Sequence, residues 1–337
     1  MHMKLDRAWL NRLRPLLGRL AILFALGWAM IKVIQYLIRR PAPDNPLECA
    51  REKRSRAGKR LIVCVGDSIT RGEVSYNYVD LLQARLGDRF EVVNAGINSE
   101  LSYEVLQRLD QVIACEPAVV TVLIGTNDAN ASIADEGALW TMQHRKLPFK
   151  PSIGWYEENM EAIVERLQRG TQAHIALLSL PPIGEEVPSQ PVRTTRWFSE
   201  VVRRVARRYG VAYLPVFEQM TDYLTEHPPA ENLEHETWQW HSVKAIFESK
   251  ILGFELDEIA RRQGFVLHSD MLHLNSRGAY IVTDLIENFV RRFEVDDRPE
   301  QVFSIGAAVF ADDVFGAAIS GAPISGAARD GALIDLA

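Results

Sequence analysis

Residues 61–70 read LIVCVGDSIT, an apolar run that stops at Gly66 and gives way at once to Asp67, Ser68 and Thr70. Apolar residues in sequence, with no polar alternation, mark a strand buried on both faces, as strands of a parallel sheet are. Outward from this stretch the same unit recurs. Residues 74–86 have helical spacing, 90–94 form a second short strand and 103–113 a second helix. Residues 119–124 give a third strand that ends at Gly125, and a helix follows around 156–168. A fourth strand over 174–180 closes on Pro181 and Pro182. A helix over 193–208 sets Val201, Val202 and Val205 on one side, and a fifth strand spans 211–216. This alternation predicts an α/β fold with a five-stranded parallel sheet covered on both faces. Ligands in such folds gather at the C-terminal ends of the strands.

Three of those ends carry polar or glycine-rich clusters: Gly66-Asp67-Ser68, Asn94-Ala95-Gly96 and Gly125-Thr126-Asn127-Asp128. Far downstream, Asp270 and His273 precede the last helix, which starts near Asn275. Acyl transfer needs a nucleophile, a base, a group to orient the base, and donors for an oxyanion. Ser68 sits at a strand-to-helix turn, where its hydroxyl is exposed and its backbone N–H free. His273 can take a proton near neutral pH, and Asp270, three residues away, can hold the imidazole tautomer. Gly96 has no side chain to keep its N–H from a substrate, and Asn127 offers an amide donor that does not ionise. Each signal is weak alone. Together, in this order and at these edges, they make a chemically complete set.

GDSIT, the Asn94/Gly96 turn, GTND and DMLHLN resemble the successive blocks of the SGNH (GDSL) hydrolase superfamily over residues 61–293. The resemblance implies a flavodoxin-like three-layer α/β/α sandwich and a serine esterase that needs no metal or cofactor. It implies Ser68 as nucleophile, Asp270 as orienter and His273 as base. The oxyanion hole falls to the Ser68 N–H, the Gly96 N–H and the Asn127 amide. Other polar groups read differently. Asp67 and Asp128 fix their loops through backbone bonds, His268 is a weaker competitor for the base, and His174 is structural. His235, Glu236 and His241 lack the i, i+4 histidine spacing of a metallohydrolase helix.

The 337-residue chain has a formal net charge of −6, but residues 1–60 hold 14 Lys/Arg against 4 Asp/Glu. A basic arm on an acidic body argues against nucleic acid as a partner and suits a membrane surface. Residues 20–38, LAILFALGWAMIKVIQYLI, are interrupted only by Lys32 and Gln35. As a helix they would cover about 28 Å, enough for a bilayer core. No small-residue cleavage site follows, so an uncleaved membrane anchor helix is expected. The flanks balance, with Arg7, Arg12, Arg14 and Arg19 facing Arg39, Arg40, Arg51 and Lys53, and orientation is not set. Cys49, Cys64 and Cys115 form no disulfide framework or zinc pattern.

The expected organisation is a basic arm and anchor over 1–40, a charged linker over 41–60, a hydrolase domain over 61–300, and a Gly/Ala-rich disordered tail over 301–337. Within the domain, a loop at 131–154 and an aromatic stretch at 220–264 read as insertions bordering the site. The leading expectation is hydrolysis of a membrane-proximal or lipid-like carboxylic ester through an acyl-serine. The near alternative is an O-acetyl esterase or acyltransferase on a cell-envelope polysaccharide. A catalytically silent binding protein keeps the fold without the reaction. A flavodoxin-like nucleotide binder leaves Asp270 and His273 without a role.

Overall fold

The five strands are β1 (Arg60–Gly66), β2 (Phe90–Gly96), β3 (Val119–Leu123), β4 (His174–Leu178) and β5 (Ala212–Leu214). All pair in parallel, in the order β2-β1-β3-β4-β5. That is the flavodoxin order, whose switch point lies between β1 and β3. Burial along β1 and β3 is nearly continuous rather than alternating, so both faces of the sheet are covered. The computed structural model of the protein describes residues 40–43, 45–52, 58–229 and 238–296.

Before β1 stands α1 (Pro46–Glu52); after it come α2 (Ser68–Arg71) and α3 (Tyr78–Leu86). Between β2 and β3 lie α4 (Ser102–Gln107) and α5 (Leu109–Ile113), and after β3 follow α6 (Thr126–Ala131), α7 (Asp135–Arg145) and α8 (Ile153–Gly170). The chain continues through α9 (Gln190–Tyr209), α10 (Val216–Glu226), α11 (Trp238–Lys250), α12 (Leu256–Gln263) and α13 (Ser276–Asp296). One compact unit closes at Arg292.

Helix α8 shows how the layers lock. Tyr156, Met160, Ile163, Val164 and Leu167 fall on one face and are fully buried. Each such side chain contributes about 1.5–3 kcal/mol of burial free energy. The Tyr156 hydroxyl donates to the Ile124 carbonyl at 2.8 Å, at the end of β3. Gly125 follows with φ of 130°, and a Cβ there would lie 2.6 Å from the Tyr156 ring. Only glycine fits this turn, for both reasons.

Several expectations are corrected. The 41–60 stretch is not wholly linker, because α1 forms within it and buries Cys49. Asn45 caps that helix, accepting the Leu47 N–H at 2.9 Å, and Pro46 occupies its first position. Prolines and charges hid a helix start. The helix expected over 103–113 is two, broken at Arg108, whose guanidinium reaches back to Glu100 and the Ala95 carbonyl. The 131–154 segment is not a loop. It contains α7, whose Met142 packs with Leu147, Trp155 and Leu101 in a small subsidiary core. The fifth strand shortens to three residues before Pro215.

The 220–264 stretch holds the end of α10, then α11 and α12, and leaves Val243, Phe247, Ile251 and Leu252 exposed. The expected anchor at 20–38 and tail at 301–337 lie outside the described residues. Among the described residues, no helix is long and apolar enough to cross a membrane.

Candidate active site

Asp67 ends the turn after β1 and caps α2, its Oδ1 accepting the Ile69 N–H at 3.0 Å. Ser68 is therefore the first residue of a helix, with its N–H outside the helical ladder and the residue as a whole 8% exposed. Its Oγ lies 2.9 Å from His273 Nε2. The other imidazole nitrogen, Nδ1, lies 2.8 Å from Asp270 Oδ2. The second carboxylate oxygen, Oδ1, accepts the backbone N–H groups of Leu272 and His273, each at 2.7 Å. Residues separated by about two hundred positions thus meet in one line: hydroxyl, imidazole, carboxylate.

The segment carrying Asp270 and His273 is held from two sides. Ser269 N–H donates to the His273 carbonyl at 2.7 Å, closing the loop on itself. On the β1 side, Leu274 N–H donates to Ser75 Oγ at 3.0 Å, and Tyr76 N–H to the Leu274 carbonyl at 2.8 Å. On the β4 side, Gly184 N–H donates to the Met271 carbonyl at 2.8 Å. Asn275 then starts α13 by accepting the Gly278 N–H.

Glu185 is a residue the sequence reading missed. Its buried carboxylate accepts the N–H groups of Val266, Leu267 and His268 at 2.7, 2.7 and 2.9 Å, and His268 Nδ1 at 2.9 Å. An acidic residue just past the end of β4 was the available signal. His268 is fully buried in this contact, which removes it as a competitor for Ser68. Glu185→Gln puts an amide NH₂ against backbone donors, whichever oxygen it replaces. A buried donor left unmatched costs about 1–3 kcal/mol. The variant is expected to melt several degrees lower, and its kcat to fall more than its KM rises. Calorimetry and steady-state kinetics check both.

Charge is distributed unevenly across the line. Burial pushes the Asp270 carboxyl up, but His273 and the two backbone N–H groups outweigh it and hold its pKa at about 2. Burial pushes His273 down, yet the facing Asp270 carboxylate, and then Asp67, hold it above its ordinary value. Behind Ser68, burial drives Asp67 up to about 7 against the Ile69 bond and the His273 charge. Asp128, up to about 6 through burial, accepts the Ser102 N–H and hydroxyl and so fixes the start of α4.

Two of the expected oxyanion donors are engaged by neighbouring acceptors. Gly96 N–H donates to Asn94 Oδ1 at 2.9 Å. The Asn127 amide donates to Asp67 Oδ2 at 3.1 Å and to the Glu100 carbonyl at 3.0 Å. A closed site leaves few donors unmatched, so neighbouring acceptors take them up. The reason for glycine at 96 is also corrected. A Cβ there would stand 2.3 Å from the Arg71 nitrogen and 2.7 Å from the Thr70 carbonyl carbon. The residue is glycine because β2 meets the backbone of α2. Asn94 reinforces that meeting by donating to the Thr70 carbonyl at 2.9 Å.

The other candidates fall away from this centre. His241 Nδ1 pairs with Gln263 Oε1 at 2.6 Å, and His174 opens β4 with an exposed side chain. His235 and Glu236 lie outside the described residues. Among the described residues, no group of three His, Cys, Asp or Glu side chains could hold a metal ion.

The sheet has the flavodoxin order, and a serine, an imidazole and a carboxylate stand in series at its switch point. The chain belongs to the GDSL-like Lipase/Acylhydrolase family, whose sequence model matches residues 64–279, and so to the ester hydrolases of the SGNH superfamily. A comparison with curated proteins gave no match. Among solved structures it is similar to an acetyl xylan esterase, AlAXEase, at 19% identity over 68% of this chain and 99% of that one, with a TM-score of 0.49. It is also similar to Axe2, an acetylxylan esterase from Geobacillus stearothermophilus, at 17% identity over 69% and 95%, with a TM-score of 0.46. A lipase/acylhydrolase from Enterococcus faecalis matches at 19% identity over 72% and 99%, with a TM-score of 0.45.

Proposed function

We propose that the protein hydrolyses carboxylic esters through an acyl intermediate on Ser68, with His273 as the base and Asp270 as its orienting carboxylate. The observation that carries this reading is the unbroken series from Ser68 Oγ through His273 to Asp270, at 2.9 and 2.8 Å. His273 Nε2 takes the hydroxyl proton as Oγ attacks the ester carbonyl. The resulting imidazolium, stabilised by Asp270, returns that proton to the departing alkoxide, which leaves as an alcohol. Water then attacks the acyl-serine by the same route, releasing a carboxylic acid and restoring Ser68.

The tetrahedral oxyanion is received by the Ser68 N–H together with Gly96 N–H and the Asn127 amide. For Asn127 this means giving up one internal bond. The bond to Asp67 Oδ2 is the one such an exchange would release, while that to the Glu100 carbonyl keeps the amide in place. Asn127→Ala is expected to lower kcat by on the order of 10²–10³, the usual loss for one oxyanion donor. An unchanged kcat in steady-state assays would return Asn127 to a purely structural role between Asp67 and Glu100.

The proposal is tested by a fluorophosphonate probe together with a panel of esters graded by acyl length and run beside acetylated glycans. Single labelling at Ser68, located by peptide mass, supports it. Labelling at a different serine, or no turnover of any ester, overturns it. Preference within the panel separates a lipid-like ester from an acetylated glycan.

A further inference from the structure

We infer that the catalytic edge of the sheet faces a lipid bilayer, so that the esters reaching Ser68 are those held in the membrane interface. This rests on the reading of Ser68 as a nucleophile and names the substrate's physical source. Two features on opposite flanks of the site carry it.

The first is where the chain enters the domain. The apolar run at 20–38 ends two residues before Arg40, at most about 7 Å of chain. From Arg40 onward the chain is fastened to the catalytic edge. The Arg40 carbonyl accepts the Arg71 Nε–H at 3.1 Å, and Arg71 closes the short helix that Ser68 opens. Pro41 and Pro46 line a small crevice with Gly96 and Ile97 at the end of β2. Asn45 and Ala42 are buried there, and the Cys115 thiol donates to the Pro46 carbonyl at 3.4 Å. Three residues of helix separate Ser68 from Arg71, about 4.5 Å of rise. Ser68 is thereby kept within about 20 Å of the end of the apolar run. With that run in a bilayer, the site cannot swing away from the headgroups, since the tether is docked rather than loose.

The second feature lies on the β3 side. Helix α7 begins three residues after α6, which carries Asn127, and its inner face packs on Leu101, the neighbour of Glu100. Outward, Trp140 and Phe149 are 59% and 62% exposed, with Leu139 and Ile153 beside them at 40% and 41%. Trp140 stacks on His144 and Phe149 meets the edge of Trp155, yet both keep more than half their surface exposed, and an exposed apolar patch of this kind is costly unless something apolar meets it. Tryptophan with an apolar neighbour is the composition that settles at membrane interfaces. The occupant we assign to this patch is the bilayer, because the long apolar run at 20–38 leads within two residues to Arg40, which is fastened to the helix that Ser68 opens.

The test uses the full chain in phosphatidylcholine vesicles that carry a fluorogenic diacyl ester, beside a soluble short-chain ester. One variant inserts about twelve Gly/Ser residues between Arg39 and Arg40, a flexible reach of about 20 Å. A second combines Trp140→Ser with Phe149→Ser. Both are expected to keep soluble-ester turnover within about twofold and to lose on the order of tenfold on the vesicle substrate. Quenching of tryptophan emission by brominated phosphatidylcholine is expected to drop in Trp140→Ser. Unchanged vesicle rates in both variants would overturn the inference. So would self-association that depends on Trp140 and Phe149, which would give the patch to a second copy. If no ester is turned over at all, the nucleophile reading fails, while the quenching still reports which edge meets the lipid.

Discussion

Ser68→Ala is expected to lower kcat by on the order of 10⁵–10⁶, the loss seen when the nucleophile of a serine–histidine–aspartate set is removed. The residue left behind has neither an attacking oxygen nor a proton for His273 to accept. What remains is the oxyanion pocket and substrate binding, which alone give a small residual rate. The fold should not notice the change. Among the described residues Ser68 Oγ bonds only to His273 Nε2, and the helix it opens is capped by Asp67, not by the serine. Thr70, two residues on, keeps its own bond to the Tyr78 hydroxyl. The melting temperature is therefore expected to stay within about 2 °C, since no buried apolar area or cap is lost. Steady-state kinetics with a thermal melt of the same preparation check both halves. Full activity in a folded alanine variant would place the chemistry elsewhere.

The chain announced its fold through a few runs whose reading needs only near neighbours. Residues 61–65 hold no polar residue and end on Gly66, and burial of β1 on both faces follows from that pattern alone. The serine at the strand end and the Asp-x-x-His spacing were legible for a similar reason. Asp270 meets His273 within one turn of chain, and its Oδ1 binds the backbone of that same turn. What the sequence concealed depends on partners far away along the chain. Glu185 has no local role, and its meaning comes from Val266, Leu267 and His268, about eighty residues on. The reason for glycine at 96 is the Arg71 backbone opposite it, which no periodicity shows. The commitment of the Gly96 and Asn127 donors to Asn94 and Asp67 is likewise a property of packing. Helix α1 was hidden because one buried Cys49 among prolines and charges leaves no amphipathic stripe to read.

Asp270→Asn is expected to cost on the order of 10⁴ in kcat at neutral pH, with little change in KM, because the lost interaction matters most once the imidazole is charged. The carboxylate acts in two ways, and the variant separates them. First, Asp270 Oδ2 requires a proton on His273 Nδ1, leaving Nε2 with its lone pair toward Ser68. An asparagine can turn its NH₂ to Nδ1 and select the opposite tautomer, in which Nε2 carries the proton and cannot accept another. Second, the carboxylate favours the imidazolium and keeps the His273 pKa above its ordinary value of about 6.5 against the pull of burial. The sign of the pH effect follows. A base works when neutral, so the parent enzyme should gain activity as pH rises through a single ionisation above that value, then level off. With the charge gone, burial is unopposed by Asp270, the imidazolium is less stable, and the rising limb should move to lower pH even as its plateau falls. A kcat/KM profile from pH 5 to 9 measures both. A variant whose plateau falls while its limb stays in place would mean that Asp270 sets the tautomer alone. A limb unmoved in position and height would mean that another group takes the serine's proton.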